Sequence, residues 1–142
     1  MKKNFRLQKV LEYRERLVEI EKNKLADLNA KLAMAIKKLE ETEQNIEKQI
    51  TDRETAENIY RSMYDKYIKR LTTEKASIGR VKKQVELNIE IQKKKVMDAI
   101  NRHKVMLKLK EKHVENYRMY LDKEEMKMID ELAVTRSARN ED

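Results

Sequence analysis

Apolar residues recur along this chain at alternating steps of four and three. Starting at Leu7, positions 7, 11, 14, 18, 21, 25, 28, 32, 35, 39, 42, 46, 49, 53, 56, 60, 63 and 67 hold thirteen apolar or aromatic residues out of eighteen: Leu7, Leu11, Val18, Leu25, Leu28, Leu32, Ala35, Leu39, Ile46, Ala56, Tyr60, Met63 and Tyr67. A 3.5-residue spacing held this long predicts a left-handed coiled coil, because it keeps one face of each helix turned toward its partner. Asn4 is suited to cap the start of the first helix. Arg14 with Glu21 interrupts the seam once, and Thr42, Gln49 and Arg53 interrupt it again.

Residues 51–58 contain only Ala56 as an apolar residue, and Thr51 followed by Glu54 has capping-box spacing, so a helix is expected to restart near residue 52. A rival turn is Thr72–Gly79, which holds the only glycine of the chain and so its only low-cost positive-φ residue. Periodicity alone leaves both open. A second seam follows through Ile78, Val81, Val85, Ile89, Val96, Ile100, Leu107, Val114, Tyr117, Leu121, Met128 and Leu132, with a spacing that drifts toward 3.6.

The fold class expected is all-α: a long antiparallel two-helix coiled-coil hairpin with an extended C-terminal helix, since each helix then covers the other's stripe. As one domain over 1–142, helix 1 spans about 4–50, the turn falls within 50–58, helix 2 spans about 58–136, and a frayed tail ends the chain. With the turn near residue 54, Phe5 pairs near residue 104 and the last 35 or so residues continue as a lone helix. That helix carries Met128, Ile129 and Leu132 as an apolar stripe among Glu124, Glu125, Lys127, Asp130 and Glu131. With the turn at Gly79, the stripe returns to the intramolecular seam.

Composition supports helix throughout: 42% of residues are charged and 39% hydrophobic, with one Gly and no Pro. Disorder competes as a reading of so much charge, chiefly for the ends, but a disordered segment lacks a sustained apolar period. The absence of Cys excludes a disulfide framework and thiolate metal sites. No signal peptide or membrane span is recognisable, which makes the cytoplasm the expected location. The net charge of +8 is concentrated in residues 61–118, with 17 Lys/Arg against 7 Asp/Glu, whereas residues 119–142 hold 4 against 7. Such a basic segment suits nucleic acid, an acidic membrane surface or an acidic protein, or simply solvates a helix.

No chemistry of an enzyme emerges. His103 and His113 are too far apart for a helical metal pair, and His103 reads as a tolerated polar position in the seam. Phosphate loops, nucleophile elbows and HExxH are missing, and no cofactor is expected. Lys93–Lys95 and Lys108–Lys112 could touch phosphates, but there is no basic region leading into a parallel zipper and few aromatics interleave with them. Tyr60, Tyr64, Tyr67, Ile68 and Leu71 cover a face broader than one seam, either a widened core or a partner patch.

Three stretches stand out in order: Phe5-Arg-Leu-Gln-Lys-Val-Leu-Glu-Tyr-Arg, then Tyr67-Ile-Lys-Arg-Leu71, and then Leu107-Lys-Leu-Lys-Glu-Lys112 followed by Glu125-Met-Lys-Met-Ile-Asp-Glu-Leu-Ala. Together they resemble the FliJ family of flagellar export proteins. The resemblance covers the whole chain and implies an antiparallel coiled coil similar to the stalk subunit of rotary ATPases. It implies a soluble, cytoplasmic, non-enzymatic component of the flagellar type III export apparatus that promotes assembly and activity of the export ATPase ring. It further implies contacts with the membrane export gate and export chaperones, with membrane association only through partners and no small-molecule substrate. It also favours the turn at 50–58, although the glycine often found in that turn is absent here. The residues expected to meet partners are Phe5, Leu7, Leu11, Tyr67, Leu71, Met128, Ile129 and Leu132, with the last three anchoring in the ring and Tyr67 and Leu71 touching the gate. The alternative is a structural coiled-coil tether or chaperone-like module without an ATPase partner; a basic coiled coil binding nucleic acid ranks last.

Overall fold

A computed structural model of the chain describes residues 1–141. Two α-helices account for nearly all of them: α1 (Gln8–Thr55) and α2 (Asn58–Glu141), packed as an all-α helical hairpin without strands among the described residues. The chain reverses through Ala56 and Glu57 alone. The Ala56 amide donates to the Arg53 carbonyl and the Tyr60 amide to that of Glu57, so the turn consumes helix-end groups that would otherwise lack partners. No described residue has positive φ, so the turn needs no glycine. Thr72–Gly79 lies within α2.

The sequence around the turn behaves differently from its capping-box reading. Thr51 does not start a helix; its hydroxyl donates to the Glu47 carbonyl, one turn back within α1. The polar interruptions are absorbed instead. Thr42 is buried with its hydroxyl donating to the Lys38 carbonyl, the Gln49 amide donates to Asn45, and Arg53 forms a forked ion pair with Asp65 on α2.

Two compact units are separable along the hairpin, Glu19–Met97 and Met1–Val18 with the segment from Asp98 onward. In the first, α1 turns Glu21, Leu25, Leu28, Leu32, Ala35, Leu39, Thr42, Ile46 and Gln49 inward, as its period predicts. Its partner face on α2 is Tyr64, Ile68, Leu71, Lys75, Ile78, Lys82, Val85, Ile89, Gln92 and Val96, also at strict steps of four and three. The expected drift toward 3.6 is therefore corrected: Val81 lies outside the seam, while Lys75, Lys82 and Gln92 lie in it. Gln92 is buried and satisfied from α1, donating to both the backbone carbonyl and the carboxylate of Glu21. Lys75 reaches Glu43 across the hairpin.

In the second unit, Leu11, Arg14, Leu17 and Val18 of α1 turn inward, with Ala99, Ile100, His103, Met106, Lys110, His113 and Tyr117 of α2 as the covered positions. The residues before α1 are held by His113. Phe5 packs against its ring at 5.6 Å, and its Nε2 bonds the Lys3 carbonyl at 3.2 Å; since a carbonyl only accepts, that nitrogen carries the proton. Phe5 thus meets residue 113, not the neighbourhood of 104. It precedes α1 and reaches further along α2 than a helical residue would. Leu107, Val114 and Leu121, placed in the seam by spacing, are exposed.

Candidate partner-binding surfaces

From residue 118 to residue 140 every side chain of α2 is exposed. This run bears Met128, Ile129 and Leu132, which are 64%, 52% and 64% exposed, together with Leu121 one heptad before Met128. Continuing the hairpin seam from Tyr117 by its own steps reaches Tyr120, Glu124, Lys127, Glu131 and Val134, mostly polar. The apolar stripe lies elsewhere on the helix surface, so it is not a leftover of intramolecular packing. Glu124 and Lys127 pair with each other on the seam side.

A second surface lies beside the turn. Ile59, Tyr60 and Met63 are exposed, Tyr67 is partly so, and Tyr64 is half-buried between them. Tyr60, Met63, Tyr64 and Tyr67 line a shallow hollow with Gln49. The broad aromatic face divides: Tyr64, Ile68 and Leu71 serve the core, and Tyr60 and Tyr67 face outward. Spacing could have separated them, because 64, 68 and 71 continue the seam of α2, whereas 60, 63 and 67 continue that of α1 past the turn.

The candidate residues are thus distributed among different roles. Leu11 and Leu71 are 5% exposed and pack the hairpin. Phe5 is half-buried on His113, and Leu7 is exposed next to it. Tyr67 lies at the turn, and Met128, Ile129 and Leu132 lie on the uncovered run of α2. The structure does not gather them into one site. Met63 stands in the α1 seam by spacing, because a stripe that fits the α1 period reads as core until the turn is located, and Ile59 fits neither seam; both are exposed.

Among the described residues no helix is long and apolar enough to cross a membrane, and no cluster of His, Asp and Glu could hold a metal ion. The architecture defines the class as an all-α helical hairpin with open apolar helix surfaces. The family model for the flagellar FliJ protein matches residues 1–142, the whole chain, and the chain belongs to that family. It is accordingly a flagellar export-related protein, in a family of non-enzymatic export components. No curated protein and no solved structure matches it.

Proposed function

We propose that this chain binds the export ATPase ring of the flagellar type III export apparatus, promotes its assembly and hydrolysis, and links it to the membrane export gate and export chaperones. The observation that carries this reading is the uncovered run of α2 with Met128, Ile129 and Leu132 on its surface. Apolar side chains on a single helix gain about 1.5–3 kcal/mol each when fully buried, so a complementary groove in a partner is a strong attractor. A helix seated among the subunits of a ring favours whichever arrangement it fits best, and so shifts the ring toward assembly without supplying a catalytic group.

The turn surface, with Tyr67 outward and Leu71 fixing its helix from below, is the contact assigned to the gate. Exposed Leu7, steadied by the Phe5–His113 contact, provides a third apolar point near the chain start. Placement at the inner face of the membrane follows from these partners. The test is stimulation of the purified export ATPase by the Met128→Glu, Leu132→Glu double variant. Helix content should be unchanged and stimulation largely lost; full stimulation by the variant refutes the assignment. Binding retained with no effect of the unaltered chain on hydrolysis points instead to a tether.

A further inference from the structure

Beside the hairpin seam, α2 carries a second heptad stripe. The covered positions 106, 110, 113 and 117 are each followed by an exposed one at 107, 111, 114 and 118, which is about 100° around the helix. Extended in both directions, this face consists of two interleaved columns. One is Leu107, Val114, Leu121 and Met128, of which the first three are 39%, 57% and 47% exposed. The other is Lys104, Glu111, Arg118 and Glu125, all exposed, with the sign of charge alternating at every seventh residue. Among the described residues none of these four makes an ion pair. Successive members lie ~10 Å apart along the helix, too far to neutralise one another.

The geometry points to a second copy of this chain as the occupant of that stripe, packed antiparallel about a two-fold axis near residue 114. In that register Leu107 lies against Leu121 of the second copy and Val114 against its own equivalent. Lys104 then meets Glu125 of the second copy and Glu111 meets its Arg118, and the symmetry repeats both pairs. A parallel pairing keeps the apolar contacts but sets Lys104 on Lys104, Glu111 on Glu111 and Arg118 on Arg118. The alternating signs thus choose the antiparallel orientation by repelling the other. An acidic or basic partner of a different kind would meet charges of both signs and be matched by neither. The inference concerns the chain alone and does not rest on the export-ATPase reading. Where that reading holds, the pairing covers Leu121 and crowds Met128, keeping the stripe occupied until the ring competes for it.

Sedimentation velocity on the full chain should show a monomer–dimer equilibrium that weakens as salt is raised. Lys104→Glu with Arg118→Glu puts four carboxylates in the column and should weaken homodimers about tenfold or more. Mixing that variant with Glu111→Lys, Glu125→Lys should restore association. Circular dichroism checks that the helices persist. The chain has no cysteine, so orientation can be read by oxidation. Val114→Cys should cross-link to itself, and Leu107→Cys should cross-link with Leu121→Cys much faster than with itself. A chain that remains monomeric across the concentration series, association indifferent to the charge reversals, or Leu107→Cys cross-linking fastest with itself would each overturn the proposal.

Discussion

Replacing Gly79 by alanine distinguishes the two hairpins that the sequence permits, because the sign of the stability change differs between them. In the structure Gly79 lies well inside α2 (Asn58–Glu141), its φ is not positive, and a Cβ built on it meets no atom within 4 Å. Alanine there removes the entropic penalty of glycine in a helix interior, worth about 0.5–1 kcal/mol, with no overpacking to offset it. If residues 72–79 formed the turn with Gly79 left-handed, the same methyl would cost about 1–2 kcal/mol. The assay is urea unfolding followed by circular dichroism. The Gly79→Ala midpoint should rise at unchanged slope, and the thermal midpoint should rise by a few degrees, about 2–4 °C per kcal/mol for a chain near this size. A lowered midpoint at unchanged slope refutes the helical placement of Gly79 and restores the turn that would bring the C-terminal stripe back into the hairpin.

Gln92→Ala should destabilise the Glu19–Met97 unit by about 1–3 kcal/mol, since it removes the donor that reaches both Glu21 oxygens, while Gln92→Leu should recover part of that loss by burying apolar surface; identical urea midpoints for the two variants would contradict this. Phe5→Ala should free the residues before α1 from His113, raising amide exchange over residues 3–9 with no change around the turn; unchanged protection there would show that the ring contact holds nothing. The Arg53–Asp65 pair is partly exposed on both sides, so Asp65→Ala should cost less than about 1 kcal/mol and lose its effect at high salt. A salt-independent loss would assign that stability to packing.

Helix α1 was legible almost residue by residue, because its inward positions are mostly Leu, Val, Ala and Ile, and the 3.5 period of such residues has one reading. Helix α2 has the same period but hides it. Lys75, Lys82, Gln92, His103, Lys110 and His113 occupy its inward face, while Leu107, Val114, Leu121 and Met128 line an outward one. Following apolar residues alone therefore crosses from one stripe to the other, and the average spacing drifts toward 3.6 although neither stripe does. The long side chains explain why the inward face tolerates them: in a two-helix seam a lysine can lay its methylenes along the partner and keep its ammonium in water, as Lys75 does on reaching Glu43.

The same reasoning separates core from surface at the two ends of the hairpin. Residues that continue α1's period past Ala56 belong to α2, the helix α1 packs against, so Tyr60, Met63 and Tyr67 are left outside. At the other end the inward face turns polar after Tyr117, with Glu124, Lys127 and Glu131, while the outward stripe persists through Met128 and Leu132. A helix that merely outran its partner would gain nothing from apolar residues on either face and would lose solubility by keeping them. The apolar residues thus persist on a face that the hairpin does not cover, while the continuation of the covered face is mostly polar and equally exposed. The turn chemistry was the illegible part, because Ala56 and Glu57 reverse the chain with ordinary helix-end hydrogen bonds and without any residue type that marks a turn.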